Sequence, residues 1–245
     1  MTLETGGAPT APPAFEAAEH QRIEPAILYL GTPVALVSTL NADGAPNLAP
    51  MSSAWWLGWS CMLGFVGGCK TVENLLREGE CVLNLPSSDL VEQVDRLAGT
   101  TGMDPEPAFK KRLGFHFVKD KFGRAGLTPQ PSIAVKPPRV LECPIQLEAK
   151  LVAAHPFAAE DARLAPPAFA IETRVTEVHV RGDLLSDTHL NRIDPQKWSP
   201  LIMSFLEFFA RGEKLKPQTL RQTDEEAWGG RRPELRADAP STEGY

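Results

Sequence analysis

The stretch NLAPMSSAWWLGWSCMLGFVGGCKTVENLLREGECVLN, residues 47–84, decides the fold. Two apolar, strand-like runs flank a glycine-rich turn, Gly67-Gly68-Cys69-Lys70-Thr71, which leads straight into a short helix. Just upstream lies a polar break of small residues, 47–53. A lysine, a hydroxyl and the amides of a helix start all favour a bound anion, so this pairing suits a backbone-lined anion pocket. The candidate contacts are Asn47, Ser52, Ser53, Lys70, Thr71 and Asn74.

Working outward, residues 34–40 (VALVSTL) have the length and β-branched content of a buried strand, and Asn41-Ala42-Asp43-Gly44 carries hairpin-turn chemistry. The returning strand over 45–53 contains Pro46 and Pro50. Each removes a ladder donor, which confines the strand to an edge or interrupts it. Downstream, residues 61–66 predict a strand and 72–77 a helix, with Thr71 as N-cap and Gly79 as the left-handed stop. Residues 81–85 predict a strand, with buried Asn84 needing a hydrogen-bond partner. A helix follows over 89–98, capped by Ser88, and a short one over 107–113. Strands are expected at 132–135, 139–152 and 168–180, with a Pro/Ala-rich excursion at 155–167 and sheet closure by Leu184-Leu185. Ser199-Pro200 predicts a helix to Arg211, apolar almost all round.

The expected fold is mainly β: six or seven antiparallel strands with inserted helices, closed into a barrel that removes exposed edges, plus a C-terminal helix. Residues 1–20 read as a loose arm, 21–190 as the barrel domain, 191–223 as a helical extension and 224–245 as a mobile tail.

A net charge of −6 without a Lys/Arg cluster argues against nucleic acid as partner. No run of about 18 apolar residues predicts a membrane helix, and the first residues lack the basic start and apolar core of a signal peptide. Cys61, Cys69, Cys81 and Cys143 form no Cys-x-x-Cys pair and the five histidines are scattered, so no metal site is expected. They read as reduced thiols of a cytoplasmic protein.

Residues 64–71 (GFVGGCKT) stand one residue from a phosphate-binding P-loop, but Cys69 replaces the required glycine and no βαβ alternation surrounds it. A nucleotide hydrolase is therefore set aside. Lys70-Thr71 alone also reads as a helix start with a solvated lysine; the second polar cluster at 47–53 favours a site. Trp55, Trp56 and Trp59 read first as packing residues. His155 and His179 have no carboxylate at catalytic spacing, and no Gly-x-Ser-x-Gly occurs, so no catalytic side chain is assigned.

Four segments together, TPVALVST (32–39), DGAPNLAPMS (43–52), KTVENL (70–75) and GECVLNLP (79–86), resemble the flavin reductase-like family of FMN-binding split barrels, which includes flavoredoxin and the reductase partners of two-component flavin monooxygenases. The resemblance spans residues 23–185. It implies a homodimer with FMN near the subunit interface, NAD(P)H as electron donor, a flavin or other small molecule as substrate, and a flavin-dependent monooxygenase as partner. By position, Asn47 and the segment Ala49, Pro50, Met51, Ser52, Ser53 would meet the isoalloxazine edge and ribityl chain. Ser52 or Ser53, Lys70 and Thr71 would hold the phosphate, with Asn74 supporting that end. The alternative within this resemblance is a non-catalytic flavin-binding or electron-carrier protein.

Overall fold

In the computed structural model, residues 19–216 are described apart from 162, 165, 189 and 190. The expected tail at 224–245 and nearly all of the expected arm lie outside the described residues. The chain runs β1 (Leu30–Pro33), β2 (Ala35–Leu40), β3 (Pro46–Met51), β4 (Ala54–Leu57), β5 (Ser60–Val66), α1 (Lys70–Glu78) and β6 (Glu80–Leu85). A short 3-10 turn, Ser88–Leu90, leads into α2 (Val91–Asp95), then β7 (Thr100–Thr101), α3 (Ala108–Arg112), β8 (His116–Phe117) and α4 (Lys121–Ala125). Then follow β9 (Pro129–Gln130), β10 (Arg139–Val140), β11 (Ile145–Phe157) and β12 (Ala168–Val180). The last described strands are β13 (Ile202–Ser204) and β14 (Glu207–Phe209).

Seven of these strands form one antiparallel sheet in the order β3-β2-β6-β11-β12-β5-β4. Its two outermost members, β3 and β4, are consecutive in the chain, with only Ser52 and Ser53 between them. Laid flat, six strand spacings would separate those edges by about 29 Å. The short link reaches about 10 Å. The sheet must therefore curl until its edges meet, which makes it a barrel with its seam at Ser52-Ser53. Both prolines of β3 sit on that edge strand, as the missing donors require.

Strand alternation then sorts the apolar residues. Ala35, Val37, Leu63, Leu83, Ala149 and Ile171 fill the barrel, with Leu75 of α1 packed among them. The opposite faces of β2 and β3 present Leu36 and Leu48 to a second core under α2 and α4, with Val94, Leu97, Phe122 and Ala125. Buried Asn84 is satisfied: it donates to Leu36 O at 3.0 Å and accepts from Val140 N at 2.8 Å.

The C-terminal helix expected over 199–211, within the helical extension expected at 191–223, is not formed. The chain there makes the β13–β14 hairpin, and β13 pairs with β1 in a separate three-stranded sheet. Leu201 enters the second core, its carbonyl accepting from Val34 N at 2.9 Å. The open edge of β1 offers backbone partners that helix propensity, a weak bias, does not outweigh. The hairpin turns at Phe205 and Leu206 with φ of 48° and 68°. Side chains in that left-handed region cost roughly 1–2 kcal/mol per residue.

Three local expectations are also corrected. The N-cap of α1 is Cys69, and Thr71 lies inside the helix, while Gly79 is its left-handed stop as expected. Leu184 belongs to a 3-10 turn instead of a closing strand. Residues 132–135 form no strand because their backbone donors are taken by a carboxylate. Glu148, fully buried on β11, accepts from Ile133 N at 2.9 Å and Val135 N at 3.2 Å, and from Ala134 N. Its fourth partner is His179 Nε2 at 2.7 Å.

Candidate functional site

At one end of the barrel, β2, the start of β3 and the first turn of α1 converge on four buried polar residues, Thr39, Asn47, Thr71 and Asn74. The Asn47 amide donates to Thr71 Oγ1 at 3.2 Å and Thr39 Oγ1 at 3.3 Å. The Asn74 amide donates to Thr39 Oγ1 at 3.0 Å and Asn41 Oδ1 at 2.9 Å. This network fixes α1 against the β2–β3 turn. The Asn74 carbonyl oxygen is buried and unpartnered among the described residues. Leaving such a group without a partner costs about 1–3 kcal/mol.

The loop around β7 closes over this network. A Cβ at Gly102 would lie 2.6 Å from Asn47 Oδ1 and 3.1 Å from the Lys70 side chain. Only glycine lets the loop come so close. Two further lysines of this region are buried. Lys110 on α3 is buried, with its ammonium 3.4 Å from Thr101 Oγ1 and 3.5 Å from Cys69 Sγ, between the rings of Phe109 and Phe115. Lys121, opening α4, is 4% exposed. Burial, and then the charge of Lys110, lower its pKa to about 8. Among the described residues neither ammonium has a carboxylate within ion-pair distance. Lys70, by contrast, is paired with Glu73 at 2.8 Å. Buried cations without acids are costly, and a bound anion would supply the missing counter-charge.

The other candidate residues lie farther along β3. Five strand steps of about 3.3 Å put Ser52 roughly 16 Å from Asn47. The structure thus brings Asn47, Lys70, Thr71 and Asn74 together and holds Ser52 and Ser53 at the opposite end. Between these ends, Ala49, Pro50 and Met51 lie on a strand whose outer edge has no ladder partner. Ser52 O and Ser53 O accept from Ala54 N and from Gly64 N of β5. Beside Pro50, Met51 and Ser52 opens a cavity of about 190 Å³, walled by Val94 of α2 and by Met203, Leu206 and Phe208 of the C-terminal hairpin.

Lys110 and Lys121 escaped sequence reading. Lys110 stands in the run Lys110-Lys111-Arg112, which reads as a solvated basic face, and nothing local marks one member as buried. Phenylalanines at 109, 115 and 122 around the lysines are the one legible hint that this charged segment packs inward.

A family model described as a flavin reductase like domain matches residues 28–202. The chain belongs to this family. The uncharacterized protein YdfE of Bacillus subtilis (strain 168) is 42% identical over 198 residues, covering 80% of this chain and 91% of that protein. Among solved structures, flavoredoxin of Desulfovibrio vulgaris (Miyazaki F) superposes with a TM-score of 0.65 at 24% identity, covering 82% of this chain and 98% of its own. Nitrilotriacetate monooxygenase component B from Bacillus cereus gives a TM-score of 0.62 at 20% identity, covering 77% and 88%. At those identities the shared property is the fold.

For a flavin reductase-like domain the question is whether these residues fit a flavin mononucleotide, and their chemistry does. An acid-free cation pair with hydroxyls and helix-start amides suits a phosphate dianion. The open edge of β3 suits a long, edge-on polar ligand. His179, meanwhile, is bound to Glu148 and is engaged in holding the 132–135 loop.

Proposed function

We propose that this chain is an FMN-binding oxidoreductase of the flavin reductase type, passing electrons from NAD(P)H to flavin or to a flavin-coupled acceptor. The observation that carries this reading is the buried pair Lys110 and Lys121, without a carboxylate partner among the described residues, near the Asn47–Thr71 contact at one end of an unpaired edge strand. Lys110, Lys121 and Thr101 hold the phosphate, with Lys70 and Thr71 at its margin and Asn47 and Asn74 fixing the surrounding frame. Ala49, Pro50, Met51, Ser52 and Ser53 form the wall along which the ribityl chain and ring edge lie. FMN supplies the electron chemistry when bound. The protein binds it, orients it and keeps a face open beside Pro50–Ser52, where the cavity lined by Phe208 and Met203 receives the donor or acceptor.

The functional unit in this reading is a homodimer, supported by the exposed apolar residues Trp55 and Leu57 on edge strand β4. A flavin-dependent monooxygenase is the macromolecular partner the family likeness suggests. All four cysteines are free thiols, which suits a reducing cytoplasm.

The test is an absorption spectrum of purified protein mixed with FMN and desalted, read before and after NADH or NADPH. A flavin band that bleaches with nicotinamide is expected, and a protein that leaves the column without flavin would overturn the reading. A band that neither nucleotide bleaches would leave a carrier of FMN instead of a reductase. Lys110→Met should weaken FMN binding about tenfold or more, since charge-assisted hydrogen bonds contribute about 1.5–3 kcal/mol each.

A further inference from the structure

Cys69 differs from the other three cysteines. Burial pushes the Cys61 thiol up to about 12 and drives those of Cys81 and Cys143 higher still, which leaves these three inert. Cys69 is only half-buried and occupies the N-cap position of the nine-residue helix α1, its side chain making no hydrogen bond to the helix-start amides. Its sulfur lies 3.5 Å from the Lys110 ammonium. Lys121 is 4% exposed and has no hydrogen-bond or ion-pair partner among the described residues; its charge interacts with Lys110 and Cys69. An unpartnered buried cation beside a partly open sulfur marks this place as one that takes an anion. The thiol stands at its entrance.

We propose that Cys69 is a modification site for small anionic disulfides, and that a mixed disulfide there and an anion on Lys110 and Lys121 exclude one another. In the reaction the Cys69 thiolate attacks one sulfur of the disulfide. A new S–S bond forms, the original one breaks, and the departing half leaves as a thiolate. The protein sulfur is oxidised by the half-reagent that is reduced, so no further oxidant is needed. The two ammonium groups draw in a reagent carrying carboxylates, and the Lys110 ammonium, 3.5 Å from the sulfur, holds it beside the attacked bond. The adduct then occupies the space where a phosphate would meet the same lysines. The site itself rests on the lysines and the sulfur; only the identity of its natural anion rests on the FMN reading.

The experiment uses the full chain and 5,5′-dithiobis(2-nitrobenzoate), following thionitrobenzoate release in the native state. One thiol should react in a fast phase, absent in Cys69→Ser, with the other three reacting only after unfolding. Mass spectrometry of the wild-type adduct should place it on the peptide containing Cys69, independently of any variant. Saturating inorganic phosphate or FMN should slow the fast phase at least tenfold, and Lys110→Met should slow it as well. The neutral reagent bis(2-hydroxyethyl) disulfide should react more slowly, relative to its rate with a free thiol. An adduct on another cysteine, no fast phase, or a rate indifferent to both phosphate and FMN would overturn the proposal. Protection by phosphate in a protein that binds no flavin would sink the FMN reading and leave this one standing. Flavin binding alongside an unreactive Cys69 would do the reverse.

Discussion

Lys121 carries the clearest electrostatic signature of the site. Its ordinary pKa of 10.5 falls to about 8, first through burial and then through Lys110. The charged form is the one that binds an anion. Above pH 8 the unliganded protein has lost that proton and must regain it on binding. Affinity for inorganic phosphate or FMN should therefore fall as pH rises through about 8, by up to about tenfold per pH unit. Calorimetric titration at a series of pH values checks this, and Lys121→Met should flatten the dependence. The same shift acts on folding: between about 8 and 10.5 the unfolded chain holds more protons on this lysine, so its burden on the unliganded fold fades as pH rises across that window. Asn47 and Thr71, which the structure joins in one buried polar network, were legible as candidates because proline and glycine punctuation exposed their setting. Lys110 and Lys121 were not, because nothing in 107–126 says which charges face inward.

Among the elements, the loop at 131–138 is organised by Glu148 in place of a strand ladder. Burial by itself would raise the pKa of this carboxyl, but N–H donors from Ile133 and Ala134, together with His179, outweigh it and the value is lowered. A lowered carboxyl stabilises the fold above its unfolded value, near 4.5, and the contribution is lost as pH falls below that. Glu148→Gln keeps the size but turns an NH2 toward backbone donors, and should cost about 1–3 kcal/mol at pH 7. Urea denaturation should show that the gap to wild type narrows as pH falls below about 4.5. The C-terminal hairpin is the other element decided from a distance. Leu201, Ile202, Phe205, Leu206, Phe208 and Phe209 fit a helix as readily as a pair of strands by apolar content alone. What selects strands is the free edge of β1, some 170 residues earlier in the chain, which pairs with β13.

For the molecule as a whole, edge strand β4 presents an apolar surface to solvent. Trp55 is 58% exposed and Leu57 77% exposed on β4, while Ala54 and Trp56 between and beside them turn into the core. An edge strand with an outward tryptophan is an aggregation hazard unless something covers it. Covered by a second copy, it becomes the dimer contact. Sedimentation velocity should find wild type as a dimer, and the double variant Trp55→Asp with Leu57→Lys should shift it to monomer with little loss of barrel stability, since both side chains face solvent in a single chain. A wild-type monomer at micromolar concentration would remove the homodimer from the reading.

The sequence by itself determined the β-rich frame. Alternation set the long strands, the Asp43-Gly44 turn and the prolines of β3 set an edge, and Gly67 to Gly79 set a bounded helix beside it. Those signals are local, each written in a few adjacent residues whose backbone preferences agree. Only the tertiary structure decided the rest. It placed the lysine at 110 against a sulfur at 69 and buried the one at 121, gave a buried glutamate to a loop, and turned a helix-like apolar run into a hairpin. Burial, charge pairing and edge pairing depend on what arrives from far along the chain, and no short window of sequence records that.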